Sequence, residues 1–252
     1  MIHEGQPMIE VHGPPLAPPV EYVRWMLLNM ERPFEYAPAA AGLSAIRSSR
    51  LKVPIEPPSM LVAGNPHGGF RTCFALLHDT LNSTAPRPQP KPDAVFSDDL
   101  FSTMFTQAVR CFYRDMLACP RVMKAMSTQG VPAWHRWFVK GAYPIWRWVL
   151  ARGLKLGTTD AAVDDQSLQD GFARIAARLG PQPFLGGTAP GADDILFAVV
   201  ASPIILPPGH PVPMPDLAAL PPQFRATVER YRATPAGQLA LRVYAQRNAA
   251  TR

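Results

Sequence analysis

The stretch STAPRPQPKPDAV, residues 83–95, constrains this chain more than any other segment. Pro86, Pro88, Pro90 and Pro92 fall at alternate positions. Each proline fixes φ and lacks an N–H, so the run excludes a helix or a central strand and leaves stiff, extended chain. It divides the sequence into a domain at 1–83, a linker at 84–95 and a domain at 96–252. Both parts are long enough to bury a core. The chain holds 30 prolines, more than twice the usual share of about 5%. They cluster, which marks loops, and 47% hydrophobic against 17% charged residues is a globular composition.

The first part alternates strand and helix signals. Met8–Gly13, MIEVHG, has strand character. Pro18 and Pro19 suit a first helical turn, where a missing N–H costs nothing. Val20, Val23, Leu27 and Met30 follow at helical spacing, and Arg32-Pro33 ends the helix. PFEYA resumes in extended form. Val53-Pro54-Ile55 and Met60–Ala63 have the pattern of two short strands. Gly68-Gly69 opens a helix with Phe70, Cys73, Phe74 and Leu77 on one face. The order is β-α-β followed by β-β-α.

Beyond the linker every strong signal is helical. Helices are predicted over Asp98–Ala118 and over Trp134–Leu156, the second interrupted at Gly141 and Pro144. Leu168, Phe172, Ile175 and Leu179 form a stripe that Gly180 closes. ADDILFAVVASPII is almost wholly apolar and therefore belongs at the centre of its domain. A proline-rich loop leads to a final helical pair, QFRATVERYRAT and PAGQLALRVYAQRN.

Several functions find no support. Cys73, Cys111 and Cys119 are odd in number and scattered, which argues against a disulfide framework or zinc site and for a reducing, cytoplasmic setting. None of the six histidines shows the spacing of a zinc helix, so no metal is expected. No P-loop, G-x-G-x-x-G or G-x-S-x-G is present. No apolar run approaches the roughly 18 residues of a membrane span, and the first residues lack a secretory pattern. A net charge of +6 permits anionic partners, but no nucleic-acid module is visible and acids at 93–99 and 160–170 dilute the field.

Three motifs and the element order together carry a resemblance. KVPI is similar to the turn before the third strand of cytosolic glutathione transferases. PFLGGTAPGADDILFAVV resembles the start of their central helix, with Asp194 as the capping acid and Gly191 where a Ser or Thr is expected. YRATPAGQLALR resembles their C-terminal helix pair, and PPVEYVRWML their first helix. The resemblance implies an α/β thioredoxin-like N-terminal domain followed by an all-α helical C-terminal domain. It further implies glutathione as cosubstrate, an apolar small-molecule acceptor and a homodimer.

The departures from that family bear on its chemistry. A Ser, Cys or Tyr near the start of the first helix serves the glutathione thiol there. Aligning on Val23-Arg24 puts Ala17 at this position, and sliding the register back puts Pro14 or Pro15 there. None has a side-chain donor. His12, at the end of the strand, is the candidate catalytic group, with a structural role as the other reading. The family's acid-Ser pair, which binds the γ-glutamyl carboxylate, is missing from GNPHGGFRT. Asn65, His67, Arg71 and Thr72 supply the polar side chains there, and Gly68 and Gly69 the helix opening whose free N–H groups attract an anion. An ordinary tight turn is the competing reading. Val53 and Pro54 correspond to the residue and cis-proline whose backbone contacts the cysteinyl part of glutathione.

The segment VPAWHRWFVKGAYPIWRWVLARGLKLG holds four of five tryptophans and no acid. Three readings stand: core aromatics with outward-reaching basic residues, an acceptor pocket lined by Trp134, Trp137, Phe138 and Tyr113, or peripheral contact with an anionic membrane. Two functions also stand side by side. One is a glutathione transferase-like enzyme with a divergent thiol site. The other is a non-catalytic ligand-binding or interaction protein that keeps the fold.

Overall fold

A computed structural model describes residues 8–250. They form two compact units: the chain up to Gln89 together with Ser127–Gly141, and Pro90–Met126 together with Ala142 onward.

In the first unit the order is β1 (Ile9–Gly13), α1 (Pro18–Asn29), β2 (Glu35–Pro38), α2 (Ser44–Arg50), β3 (Ser59–Val62), β4 (Asn65–Gly68) and α3 (Phe70–Ala75). Helix α3 continues as a π-helical turn over Leu76–Leu81. The four strands lie in the order β2-β1-β3-β4, with β1 parallel to β2 and the other pairs antiparallel. This is a thioredoxin-like sheet. Alternation along β1 sends Ile9 and Val11 into the core with Met60. Glu10 and His12 go to the opposite face. The core face is closed by Val20, Val23 and Leu27 of α1, and by Phe70, Cys73 and Leu77. Tyr22 stacks on Phe74 and its hydroxyl lies 2.8 Å from His78 Nε2, a buried hydrogen bond inside this core.

One expectation fails here. The cis bond lies at Pro57–Pro58, immediately before β3, and not at Val53–Pro54. Nor are Val53-Pro54-Ile55 a strand. They form a turn after α2, with Val53 N–H bonded back to Ser48 O at 3.1 Å. The sheet leaves them no partner, because β1 and β4 occupy both edges of β3. Helix α2 and strand β4 were not legible in the sequence. Helix α2 is short and serine-rich, and β4 reads NPHG, a composition of turns. The first half of the proline run is pinned to this unit: Gln89 N–H bonds Asn82 Oδ1 at 2.7 Å and its side chain bonds Asn29 O at 3.0 Å.

The remaining helices are α4 (Ala94–Asp99), α5 (Phe105–Met116), α6 (Pro120–Ser127), α7 (Ala133–Gly141), α8 (Tyr143–Gly153), α9 (Ala161–Leu179), α10 (Ala192–Ile205), α11 (Pro222–Ala233) and α12 (Pro235–Ala250). A π-helical step at Leu100–Met104 joins α4 to α5, so the predicted helix starts earlier than Asp98. Segment 127–141, with α7, belongs to the first unit. In the second unit α10 is the axis: Ile195 through Ile205 are all buried, and α5, α11 and α12 pack around it. Asp194 holds its entry. Its carboxylate accepts the N–H groups of Leu185 at 2.7 Å, Gly186 at 3.2 Å and Gly191 at 2.9 Å. The turn between α11 and α12 depends on Thr234, whose hydroxyl accepts Gly237 N–H at 3.0 Å, and on the bareness of Gly237. A Cβ there would sit 2.0 Å from Tyr231 O.

Two consequences can be measured. Asp194→Ala leaves three backbone donors in a buried site without their acceptor, and it lowers unfolding free energy by at least about 3 kcal/mol. Gly237→Ala forces α11 and α12 apart and costs about 2 kcal/mol or more. Urea denaturation followed by circular dichroism reads both.

Candidate functional site

The register across the sheet brings four residues into one row. Ala37 pairs with His12, His12 with Ser59, and Ser59 with Gly68. This row marks the end of the sheet from which α1 departs. Val53 and Pro54 close over it: a Cβ on Gly68 would meet Val53 Cβ at 2.6 Å, and one on Gly69 would meet Pro54 Cβ at 3.5 Å. So Val53, Pro54, Gly68 and Gly69 do come together, by packing on bare glycine backbone. Gly69 has φ +80, which glycine adopts without strain. Its N–H donates to Pro58 O at 3.1 Å. Arg71 and Thr72 are exposed in the first turn of α3. His67 points to the other face from Gly68. Asn65 pairs with Val62 and lies at the opposite end of β4.

Where α1 begins, backbone donors are scarce. Pro14, Pro15, Pro18 and Pro19 have none. Ala17 N–H donates to Pro14 O at 3.0 Å, and Val20 and Glu21 N–H both donate to Ala17 O at 3.0 and 3.1 Å. Pro57, which precedes the cis-proline, has no N–H either. The only acid in the first turn is Glu21, and it is buried.

His12 faces the opposite side of the sheet from the core. It is buried, with Nε2 at 3.1 Å from Glu10 Oε2. The same carboxylate oxygen accepts from Arg47 Nη2 at 3.0 Å. Burial lowers the His12 pKa, and so does the Arg47 cation, while Glu10 and the backbone at Ala37 oppose them. A cleft of about 420 Å³ opens on this face, and all its lining residues belong to the first unit. Its apolar walls are Pro38, Leu43, Ile46, Leu51 and Pro132. His12, Ser44, Arg47, Arg50, Trp134 and His135 supply the rest of its chemistry. His135 is buried and its Nδ1 accepts Ala40 N–H at 3.3 Å. That bond assigns the proton of the neutral ring to Nε2. Burial also lowers the His135 pKa.

The cleft therefore joins His12 and Trp134, residues 122 apart in sequence. Trp137 is exposed at 75% and Phe138 is half-buried, and neither lines the cleft. Tyr113 belongs to the second unit, buried edge-on against Phe112, with burial pushing its hydroxyl up to about 12. Glu10, Arg47, Arg50 and His135 escaped the sequence reading. The alternation that puts Glu10 beside His12 was available as a signal. The arginines were not, because α2 itself went unread.

Among the described residues no cluster of three or more His, Cys, Asp or Glu could hold a metal ion. No described helix is long and apolar enough to cross a membrane. Burial pushes the Cys73 thiol up to about 12 and the Cys111 thiol to about 11, which holds both protonated.

Both cleft histidines favour the neutral state on folding. Their contribution is therefore complete above the ordinary histidine value of about 6.5 and is lost as the pH falls below it. Urea midpoints should drop between pH values of about 7.5 and 5. His12→Gln and His135→Gln should each flatten that slope, and an unchanged slope in both variants would contradict the assignment.

No family model matches the chain, and no curated protein sequence matches it. Solved structures do. A glutathione S-transferase of Ceriporiopsis subvermispora, in complex with glutathione, superposes with a TM-score of 0.53 at 15% identity, over 94% of this chain and 96% of that one. A glutathione transferase from Phanerochaete chrysosporium gives 0.56 at 14% identity, over 94% and 96%. One from Populus trichocarpa gives 0.50 at 11% identity, over 94% and 99%. The chain has the glutathione transferase-like fold, a thioredoxin-like domain followed by a helical one.

Proposed function

We propose that this protein uses the glutathione transferase-like fold to bind a small apolar molecule and does not activate a glutathione thiol. The observation that carries this reading is the first turn of α1. A thiolate needs a hydrogen-bond donor or a positive charge beside it. Here Ala17, or Pro14 or Pro15 in a shifted register, falls where the family has its Ser or Cys, Pro14, Pro15, Pro18 and Pro19 have no N–H, and the Ala17, Val20 and Glu21 N–H groups are already bonded. Glu21 adds a carboxyl group where negative charge is unwelcome.

The rest of the glutathione site fits only in part. One of the similar structures holds glutathione. A peptide backbone laid along β3 would find Pro57, whose carbonyl can accept but which has nothing to donate. Gly69 N–H is taken by Pro58 O. Arg71 and Thr72 remain exposed at the start of α3 and suit a carboxylate. His12 is the imidazole closest along the chain to the turn, and Glu10 engages its Nε2. Against these deficits, the cleft beside β1 is walled by apolar side chains and is of ordinary ligand size.

Passage over glutathione-agarose separates the two functions. The expected result is no retention, with conjugation of glutathione to an aryl chloride proceeding at the uncatalysed rate. Tryptophan fluorescence should meanwhile be quenched by an apolar aromatic ligand, since Trp134 lines the cleft. Retention reversed by free glutathione would reinstate glutathione as a ligand, and conjugation above background would reinstate the transferase.

A further inference from the structure

We infer that the cleft beside β1 is built for an aromatic carboxylate, with Arg50 and the His135 ring as its anion contacts and Trp134 as its stacking wall. The inference rests on the binding reading above and adds a site and a ligand class to it.

Helix α2 supplies the first argument. Leu43, Ile46, Arg47 and Arg50 recur at helical spacing along one side, and all four line the cleft together with the buried Ser44, while Ser48 is buried and does not line it. Ile46 is 42% exposed and Trp134 is 54% exposed. Apolar surface therefore faces the cleft without being covered, which is the condition for holding an apolar ligand. The indole is itself fixed, edge-on against the His135 ring at 3.8 Å between centroids. Pro38 and Pro132 add flat apolar contact.

The second argument is charge. Among the described residues no acid lines the cleft. Glu10 approaches from β1, but its carboxylate is bonded to both Arg47 and His12. Arg47 is thereby neutralised, and Arg50, which forms no ion pair with any described residue, leaves the cleft with an uncompensated guanidinium. His135 uses Nδ1 on the Ala40 N–H, so its remaining nitrogen is a donor. His12 likewise presents a neutral ring, its Nε2 proton directed at Glu10. One guanidinium and one imidazole N–H beside apolar walls suit a carboxylate attached to an aromatic ring, since a guanidinium fork matches carboxylate geometry.

Equilibrium binding of the naphthoate anion and of its neutral carboxamide tests this. Naphthoate should bind at least about tenfold tighter than the carboxamide, the worth of one charge-assisted hydrogen bond. Arg50→Gln, at an exposed position, should remove that preference by weakening naphthoate by about tenfold more than the carboxamide. Trp134→Leu should weaken both ligands. Equal affinity for the two ligands, no binding of naphthoate, or an Arg50→Gln protein that binds naphthoate like the native chain would overturn the assignment. Fluorescence quenching by other apolar ligands would then still uphold the binding reading. Retention on glutathione-agarose with the naphthoate preference intact would overturn the binding reading's exclusion of glutathione and leave the cleft assignment standing.

Discussion

A backbone N–H that is absent cannot be restored by any rearrangement of its neighbours, and this constraint shapes the end of the sheet. Three proline pairs converge there: Pro14-Pro15 after β1, Pro18-Pro19 opening α1, and Pro57-Pro58 before β3. They are also adjacent in space, since a Cβ on Gly13 would meet Pro57 Cβ at 3.4 Å. Each pair is compatible with the fold, because a first helical turn and a strand entry can do without donors. Each is unfavourable for chemistry that depends on donors. The same residues thus preserve the architecture and leave this end of the sheet with few backbone donors.

The polar groups lie on the other side of β1. Glu10 and His12 share the face away from the core and are joined by one hydrogen bond, and Arg47 completes the chain. Burying an imidazole next to a guanidinium favours its neutral form, and a carboxylate between them balances the charge. The result is a rigid, nearly neutral floor for the cleft. Arg50 and the His135 ring are left as the groups that give it polarity. Position on the sheet therefore separates the two regions: the turn of α1 is poor in donors, and the polar side chains lie on the face of the cleft.

The second unit depends on a different solution to buried polarity. Helix α10 has no polar face to spare, and its first turn is tied to the loop before it by one carboxylate, Asp194, which accepts the N–H groups of Leu185, Gly186 and the N-cap Gly191. At its other end the last carbonyls are met by Arg232, with Nε at 2.7 Å from Ile205 O and Nη2 at 2.6 Å from Leu206 O. An apolar helix at the centre of a domain is tolerable only with both ends paid for in this way.

Periodicity and punctuation in the sequence determined the opening β1-α1-β2 order, the all-helical character beyond the linker, the central place of ADDILFAVVASPII, the capping role of Asp194 and the lack of a side-chain donor at Pro14, Pro15 and Ala17. These are local properties: a spacing of apolar residues, a proline without an N–H, a side chain without a donor. Tertiary structure alone decided where the cis bond falls, because Val53-Pro54 and Pro57-Pro58 look alike until the strands take their partners. It alone placed Trp134 and His135 beside His12, 122 and 123 residues earlier in the chain. Such a contact leaves no periodic trace in either segment. It arises from the packing of 127–141 with the thioredoxin-like unit, which depends on shape and on single bonds such as Ala40 N–H to His135, and neither can be read from spacing.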